Sequence, residues 1–357
     1  MKIFRNILTL SLLMGMTACI KSEVAQVPDR TVLYRVADLK AQTKAGEVSF
    51  LGEFADPSEA AFSSVGFLHG QGVSETQAFY AGSYETISWN GSDRWAPSHT
   101  YYWPKGAQSY VNFVSWYDKN GTPDLSTLSE TSLQWTRSIA ADENIMVADE
   151  AWRCHANAAT YHIDDASVVG VPTLFRHMLT RVAFVAKPAK LSDAGTSWTV
   201  TVKNFTLKNV RYQGTLALIN ADPDATGTSA WTATDGTAPA WSASSATQTV
   251  SGESAVALTS LTPATVLPMR SFLPQALGNM AISFDYTIRT TYADDYIEET
   301  ASSGDIRLNS FTSSVTEWGM NRKITYTITI DPEARVIEID PTASDWSVQP
   351  TQTISIE

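Results

Sequence analysis

The second half of the sequence consists of short runs in which apolar and polar residues alternate. Turn-forming residues separate these runs at intervals of roughly 8–20 residues, a spacing typical of antiparallel sandwiches. A period of two places the apolar side chains on one face of a strand. The clearest runs are TRVAFVAK (180–187), SWTVTVKNFTLKNV (197–210), NMAISFDYTIRTTY (279–292) and RKITYTITIDPEARVIEID (322–340). The sequence therefore predicts an all-β fold, with a tight hairpin turn at Asp331 and Pro332.

Strand-like runs also occur in the first half of the chain, at 31–36 (TVLYRV), 61–70 (AFSSVGFLHG) and 110–118 (YVNFVSWYD). The third run is apolar on both faces, which indicates a strand buried on both sides. Residues 172–181 fit either a helix of one or two turns or a strand. Residues 220–247 are rich in small and turn-forming residues and predict a long surface loop.

The N-terminus has the features of a secretory signal peptide. Two basic residues are followed by an apolar stretch, residues 7–16, that is too short to cross a bilayer as a helix. The next four residues, MTAC, resemble a bacterial lipobox, in which the cysteine is acylated and becomes the new N-terminus. We therefore predict a signal peptide over 1–18, lipidation at Cys19 and a polar tether over 19–30. The alternative is an ordinary signal peptide with a chance cysteine.

The charge balance argues against nucleic acid as a partner. The chain has 25 basic and 37 acidic residues, and loss of the leader would remove Lys2 and Arg5 but no acid, leaving a formal charge of −14. So acidic a chain is repelled by nucleic acid and by anionic lipid. Membrane attachment is therefore expected through acyl chains. The second cysteine, Cys154, then has no partner in the chain and is expected as a small buried side chain.

No catalytic or cofactor motif is present in the sequence, which lacks the HExxH, CxxC, P-loop, nucleophile-elbow and dinucleotide-binding patterns. His155 and His162 lie seven residues apart, a spacing that suits neither one helical turn nor one strand face. The acidic run at 220–224 alternates like a calcium loop, but Trp231 stands where a glutamate ligand belongs, which favours a simple turn. We predict no enzyme, no metal site and no cofactor.

Aromatic residues are concentrated in SWNGSDRWAPSHTYYWPKG, residues 88–106. A sugar-binding platform needs exposed rings on one face, whereas a β-core needs rings that alternate inward. The run that ends at Trp103 is strand-like and is stopped by a proline, which favours the core. The platform stays open as an alternative, with Trp89, Trp95 and Trp103 as the candidate glycan contacts.

Five segments, in order, resemble the fimbrillin family of secreted lipoproteins, which build type V pili or act as related surface proteins that do not polymerise. They are YYWPKGAQSYVNFVSWY (101–117), NIMVADEAWR (144–153), VPTLFRHMLTRVAFVAK (171–187), VLPMRSFLPQ (266–275) and KITYTITIDPEARVIEIDPTASDW (323–346). The resemblance implies two transthyretin-like antiparallel β-sandwich domains, which we place at 31–166 and 167–357. It also makes the aromatic segment a structural strand of the first domain.

The resemblance implies a mode of assembly as well. Such subunits reach the outer membrane as lipidated precursors, where an arginine-preferring protease removes the first strand and opens a groove in the N-terminal sheet. A strand of the next subunit fills this groove by β-augmentation, which gives a head-to-tail filament. Here the first strand corresponds to 31–36 and the donor to TQTISIE (351–357), with Ile354 and Ile356 facing inward. The alternative is that this last run pairs within its own domain.

The processing site departs from the family pattern. The family commonly has Thr-Arg-Ala after the first strand, whereas this chain has QTKAG, with Lys44 in place of the arginine. Arg35 lies inside the first strand, so cleavage there would leave part of that strand in place. Two functions therefore stay open. The first is a structural subunit of a fimbria-like appendage that acts in adhesion, with other subunits as partners; the second is a non-polymerising surface lipoprotein that binds a glycan or a host protein.

Overall fold

The structure, a computed structural model, consists of strands and turns, which confirms the all-β prediction. It describes residues 31–36, 60–70, 77–80, 84–89, 95–105, 109–120, 134–148, 151–154, 170–173, 175–217, 240–310 and 315–346. Within these ranges the helical structure is one 3₁₀ turn, Leu308–Ser310. No helix in the described part of the chain has the length and apolar character needed to cross a membrane.

The strands of the first half are β1 (Tyr34–Val36), β2 (Ala61–His69), β3 (Gln77–Ala78), β4 (Glu85–Trp89), β5 (Trp95–Pro97), β6 (Tyr110–Asp118), β7 (Gln134–Ser138), β8 (Ile145–Ala148), β9 (Ala151–Cys154), β10 (Val171–Thr173) and β11 (Phe175–His177). Those of the second half are β12 (Thr180–Pro188), β13 (Ser192–Asp193), β14 (Thr196–Arg211), β15 (Gln213–Ala217), β16 (Ala240–Ala243), β17 (Thr247–Ser251), β18 (Ala255–Leu258), β19 (Ala264–Phe272), β20 (Gln275–Ala276), β21 (Ala281–Tyr292), β22 (Asp295–Ser302), β23 (Ile306–Arg307), β24 (Glu317–Trp318), β25 (Arg322–Asp331) and β26 (Val336–Asp345).

Ten strands of the first half form one sheet, in the order β10-β1-β5-β4-β2-β6-β8-β11, with β3 beside β2 and β9 beside β6. Its two end strands, β10 and β11, are separated in the chain by a single residue, so the sheet curls back on itself. Side chains from along the whole order therefore meet inside the curl; the rings of Phe62 in β2 and Phe175 in β11 lie 5.0 Å apart. The resulting N-terminal core comprises Val32, Tyr34, Ala60, Phe62, Tyr80, Ile87, Trp95, Trp103, Val111, Phe113, Met146, Ala148, Ala151, Cys154, Val171 and Phe175.

The central strands of this sheet are buried on both faces, as predicted for residues 110–118. In β6, Val111 and Phe113 enter the N-terminal core, whereas Val114 and Trp116 enter a second cluster on the opposite face. This second cluster, the junction core, consists of Val65, Phe67, Val114, Trp116, Trp135, Ile139, Ile145, Val147, Met178, Leu179, Leu216 and Leu273. It joins the first sheet to the second half of the chain.

Two further sheets enclose the core of the second half. One has the order β19-β12-β25-β26, and the other contains seven strands with β13-β14-β21-β22 as its main path. Alternation decides which side chains face inward, because Ile324, Tyr326 and Ile328 of β25 are buried while the residues between them are less so. The pairs β1–β10 and β12–β25 are parallel, unlike the fully antiparallel pattern that we predicted. Both join strands far apart in sequence, which parallel pairing requires.

The hairpin turn predicted at Asp331 is confirmed. Strand β25 ends at Asp331, which lies opposite Val336, the first residue of β26. The carboxylate of Asp331 accepts hydrogen bonds from the amides of Ala334 and Glu333, both at 2.9 Å. These donors hold the pKa of Asp331 below its usual value, the amide of Ala334 contributing most.

Two sequence interpretations are decided by the structure. Residues 172–181 contain strands β10 and β11 and the start of β12, so the helical alternative is wrong. The loop predicted for 220–247 is wrong at 240–243, which form β16; Trp241 there donates from Nε1 to the carbonyl of Met178 at 2.7 Å. Its preceding part, 220–239, lies outside the described residues.

The domain boundary that we place at residue 166 stays a prediction, and the strand pairing extends across it in both directions. Strands β10 and β11, which follow residue 166, belong to the first sheet. Strand β7, which precedes it, pairs with β15 of the second half. The two halves are therefore joined by shared sheets and by the junction core.

Candidate functional site

The first strand of the described chain occupies an interior position in its sheet. Strand β1 pairs in parallel with β10, with Tyr34 opposite Val171, and in antiparallel fashion with β5, with Tyr34 opposite Trp95. The amide of Val32 donates to the carbonyl of Tyr101 at 2.9 Å, and the carbonyl of Leu33 accepts from the amide of Val171 at 2.8 Å. Removing this strand would leave two facing strand edges, which together form the walls of a groove.

The inward side chains of the first strand fill the N-terminal core. Val32 and Tyr34 are 1% and 3% exposed, and Leu33 between them is only half-buried. The ring of Tyr34 makes edge contacts with Phe62 and Phe113, with centroids 5.6 and 5.7 Å apart. Burial of such side chains stabilises the fold by about 1.5–3 kcal/mol each. The groove thus has deep apolar pockets at alternate positions of its occupant.

The hydroxyl of Tyr34 ends in a polar pocket inside this apolar core. It donates to Ser64 Oγ at 2.8 Å and lies 2.5 Å from the hydroxyl of Tyr80. Ser64 Oγ also accepts from Ser115 Oγ at 2.9 Å and donates to the carbonyl of Val114 at 3.3 Å. Burial raises the pKa of both tyrosines, so these hydroxyls are neutral. We call Ser64, Tyr80 and Ser115 the hydroxyl pocket.

The described parts of the aromatic segment, 88–89 and 95–105, lie beside the first strand, and their tryptophan rings contribute to the core as the sequence favours. Trp95 and Trp103 are 4% and 5% exposed. Trp89 packs partly buried against the N-terminal core, with its ring tilted by 51° to that of Trp95. Rings placed this way do not form a flat, exposed sugar platform. In the described part of this segment, Tyr102 is the aromatic side chain that is exposed to solvent, at 64%.

Glu85 of β4 lies beside the aromatic segment and contacts Ser98, His99 and Tyr101. Its carboxylate accepts from Ser98 Oγ and, at 2.8 Å, from the hydroxyl of Tyr101. His99 Nδ1 lies 3.1 Å from Glu85 Oε1 and 3.3 Å from Ser98 Oγ. Burial raises the pKa of Glu85, but its hydrogen-bonding neighbours outweigh burial and leave the pKa below its usual value. A hydrolytic triad needs the serine and the carboxylate on opposite ring nitrogens, and here both contact Nδ1.

Most of the sequence-predicted site residues lie outside the described residues: Cys19, Lys44, His155, His162, the run at 220–224, Ile354 and Ile356. Arg35 is described as part of β1, and its backbone pairs with Pro172. Cys154 is buried and outside any disulfide, as predicted, and it belongs to the same core as Tyr34. Within the described ranges, no three His, Cys, Asp or Glu residues are grouped as a metal site would need.

Comparison with known proteins identifies the family. The sequence matches the family described as fimbrillin-like over residues 64–346, which is well over half of the chain. The chain belongs to the fimbrillin-like family. A search of curated proteins found no significant match.

Three solved structures match this chain over most of its length. A fimbrial protein from Bacteroides vulgatus has a TM-score of 0.53 and 15% identity, covering 89% of this chain and 99% of that chain. A candidate cell adhesion protein from Bacteroides uniformis has a TM-score of 0.45 and 15% identity, covering 88% and 98%. Another from Parabacteroides distasonis has a TM-score of 0.45 and 14% identity, covering 88% and 96%. At 15% identity, the fimbrial protein from Bacteroides vulgatus shows that the two chains have the same fold.

Sequence reasoning missed the hydroxyl pocket. Ser64 and Ser115 each interrupt an apolar strand that is buried on both faces, and each is less than 5% exposed. A serine at an inward position of such a strand needs a hydrogen-bond partner. That signal was present in AFSSVGFLH and YVNFVSWYD, but the sequence alone does not show that Tyr34 supplies the partner.

Proposed function

We propose that this fimbrillin-like chain is a structural subunit of a fimbria-like appendage at the cell surface, where it acts in adhesion. The observation that carries the proposal is the interior position of β1. A strand near the start of the chain occupies a groove between β5 and β10, where another segment of the same shape could replace it. Family membership supports the same role.

Assembly would proceed by donor-strand exchange, with other pilus subunits as head-to-tail partners. Loss of residues 31–36 exposes the carbonyl of Tyr101 and the amide of Val171, which now bond to Val32 and Leu33. An incoming strand regains these backbone bonds and fills the pockets of Val32 and Tyr34. The segment 351–357, with Ile354 and Ile356, is the donor that we propose for the groove of a neighbouring subunit. We also propose that the two halves are transthyretin-like sandwiches.

A second function is favoured by one feature of the sequence. Lys44 stands where the family has arginine, so an arginine-preferring protease lacks its site after the first strand. A chain that keeps β1 would remain a non-polymerising surface lipoprotein that binds a host protein or a glycan. Burial of Trp95 and Trp103 argues against those tryptophans as glycan contacts.

Electron microscopy of cells with and without this chain tests the appendage directly. We expect surface fibres that depend on the chain and that carry it when labelled with antibody. Cells complemented with a chain lacking residues 31–36 serve as the control, because a precursor without its first strand should fold poorly. Fibres unchanged by loss of the chain and free of the antibody would favour the second function.

Lipidation of Cys19 gives a separate prediction. We propose that acylation at Cys19 holds the precursor at the outer membrane, since the leader ends in MTAC and the net charge offers no electrostatic attachment. Cys19→Ala should therefore shift the protein from the outer-membrane fraction to an unprocessed or soluble periplasmic form. Cys154→Ala is the matched control and should leave the fractionation unchanged. A processed Cys19→Ala chain that still fractionates with the outer membrane would contradict lipidation.

A further inference from the structure

The hydroxyl pocket gives the groove a chemical preference at one position of its occupant. Tyr34 has one hydroxyl proton, and it donates that proton to Ser64. In the short contact between the two tyrosines, Tyr80 is therefore the donor and Tyr34 the acceptor. Ser64 in turn donates to the carbonyl of Val114. The result is a directed chain of hydrogen bonds from Tyr80 through the occupant and Ser64 of β2 to the backbone of β6. The occupant is the central member of that chain, as both acceptor and donor.

An occupant without a hydroxyl at this position would break the chain at its centre. Tyr80, at 1% exposure, would lose the acceptor of its hydroxyl and would not find water in its place. Ser64, at 0% exposure, would lose one donor but keep its bonds to Ser115 and to the carbonyl of Val114. A buried hydroxyl that loses its partner costs more than the bond itself contributes. The flanking pocket of Val32 is apolar, and Val36 packs partly buried against the same core. The groove therefore combines aliphatic positions with one hydroxyl-requiring position between them.

We propose that the groove is selective for a strand that carries a tyrosine between two aliphatic residues at alternate positions. This inference rests on the proposed strand exchange and identifies the partner: an extended segment with the pattern of Val32, Tyr34 and Val36. The last segment of this chain, TQTISIE, lacks a tyrosine and offers Ile354 and Ile356 instead. The groove discriminates against such a segment, so its occupant after exchange comes from a different kind of subunit and not from a second copy of this chain.

The first test uses the full chain and the thiol of Cys154 as a reporter, because that thiol shares the core with Tyr34 and is 2% exposed. In a Cys19→Ser background, Cys154 is the one remaining cysteine. Tyr34→Phe keeps the ring and removes the hydroxyl, and we expect it to raise the thiol-labelling rate about tenfold. Tyr34→Ile reproduces the aliphatic pattern and should raise the rate further.

Two controls separate hydroxyl recognition from a general loss of stability. Tyr326→Phe removes a buried hydroxyl that accepts from Trp318 in the other core, and it should leave the labelling of Cys154 unchanged. A host with Ser64→Ala, Tyr80→Phe and Ser115→Ala has no hydroxyl pocket, so there the Tyr34 hydroxyl is itself a buried group without its partners. In that host Tyr34→Phe should leave the labelling rate unchanged or lower it. If Tyr34→Phe labels like the parent, or if it raises the labelling rate equally in that host, the inference is wrong.

The second test measures selectivity for a strand supplied in trans. The full chain with Tyr34→Phe, whose own strand opens more often, is incubated with a labelled peptide of residues 30–37 or with its Tyr34→Phe and Tyr34→Ile forms. We expect the parent peptide to bind about tenfold more tightly by fluorescence anisotropy. Equal binding of all three overturns the inference. Neither measurement depends on fibres, so a cell without fibres would contradict the proposed function while leaving this selectivity intact.

Discussion

Replacement of Arg137 by alanine is expected to destabilise the protein by about 3–5 kcal/mol, because it leaves two buried carboxylates without their cation. Arg137 Nη1 lies 2.6 Å from Asp118 Oδ2, and its Nη2 bonds to Glu143. The side chains of Asp118 and Glu143 are 0% and 2% exposed, respectively. Urea denaturation at pH 7 measures the loss.

The pH dependence of this loss has a definite sign. Burial raises the pKa of Asp118 above its usual value despite the amide of Asn120 and the charge of Arg137. Between the unfolded and folded pKa values the folded state binds more protons, so this group's contribution falls as pH rises through that window. Removing Arg137 raises the folded pKa further. The destabilisation should therefore be smaller at pH 5 than at pH 7.

Matched variants show whether buried charge is the cause. Arg322→Ala removes a more exposed arginine whose Nη1 lies 2.5 Å from Asp345, and it should cost at most about 1 kcal/mol. Adding Asp118→Asn and Glu143→Gln to Arg137→Ala should recover part of the lost stability. An Arg137→Ala chain as stable as Arg322→Ala would contradict the expectation.

The position of this cluster explains why its loss should affect both halves of the molecule. Asp118 ends β6 of the first sheet, and Arg137 lies in β7, which pairs with β15. The carbonyl of Glu143 accepts from Ser271 Oγ at 2.6 Å, and the amide of Ser271 donates to Ala141 at 2.9 Å. Strand β19 is thereby attached to the loop before β8. The cluster and the junction core together hold the two halves against each other.

The sequence was informative where structure depends on neighbouring residues. The alternation in 322–340 predicted both the buried face of β25 and the turn at Asp331, because strand period and turn chemistry are local. It did not predict that β1 pairs with β10, more than a hundred residues away, or that β7 crosses to β15. Such pairings depend on which edges remain free after the local hairpins form, and a single sequence does not state that.

In the candidate site, too, the features set by neighbouring residues were predictable and those set by long-range strand pairing were not. The apolar positions of the first strand were visible as alternation in TVLYRV. The burial of Trp103 was predicted correctly, but the strand predicted up to Trp103 was wrong, because the structure has only an isolated bridge at Tyr102 there. The hydroxyl pocket was not predictable, because Tyr34 of β1 meets Ser64 of β2 and Ser115 of β6 only inside the curled sheet, where β5 and β4 separate β1 from β2. Hydrogen-bond partners of this kind become visible once the order of the strands is known.

Lys44→Arg is expected to convert a resistant precursor into one that an arginine-specific protease cuts after the first strand. The change creates the sequence Thr-Arg-Ala, and residues 37–59 of the parent contain no arginine. Arg35 offers no equivalent site, because its backbone is paired within the sheet. Intact-mass analysis should show a product that begins at Ala45 in the variant and none in the parent.

Loss of the first strand should then change the protein strongly. The pockets of Val32 and Tyr34 open, each worth about 1.5–3 kcal/mol of burial, so the melting temperature falls and Cys154 becomes reactive. A Lys44→Gln chain, which has no site for the protease, controls for the loss of the lysine.

Partner subunits provide the final step of this experiment. The cut Lys44→Arg chain should recover its melting temperature when it binds a donor strand that carries the tyrosine pattern, and should be able to offer residues 350–357 to another subunit. Deleting 350–357 should therefore leave the recovery of the melting temperature intact but prevent the addition of a further subunit. If the deletion instead unfolds the uncut chain, the segment pairs within its own domain, and the chain is better understood as the terminal or non-polymerising member of an assembly.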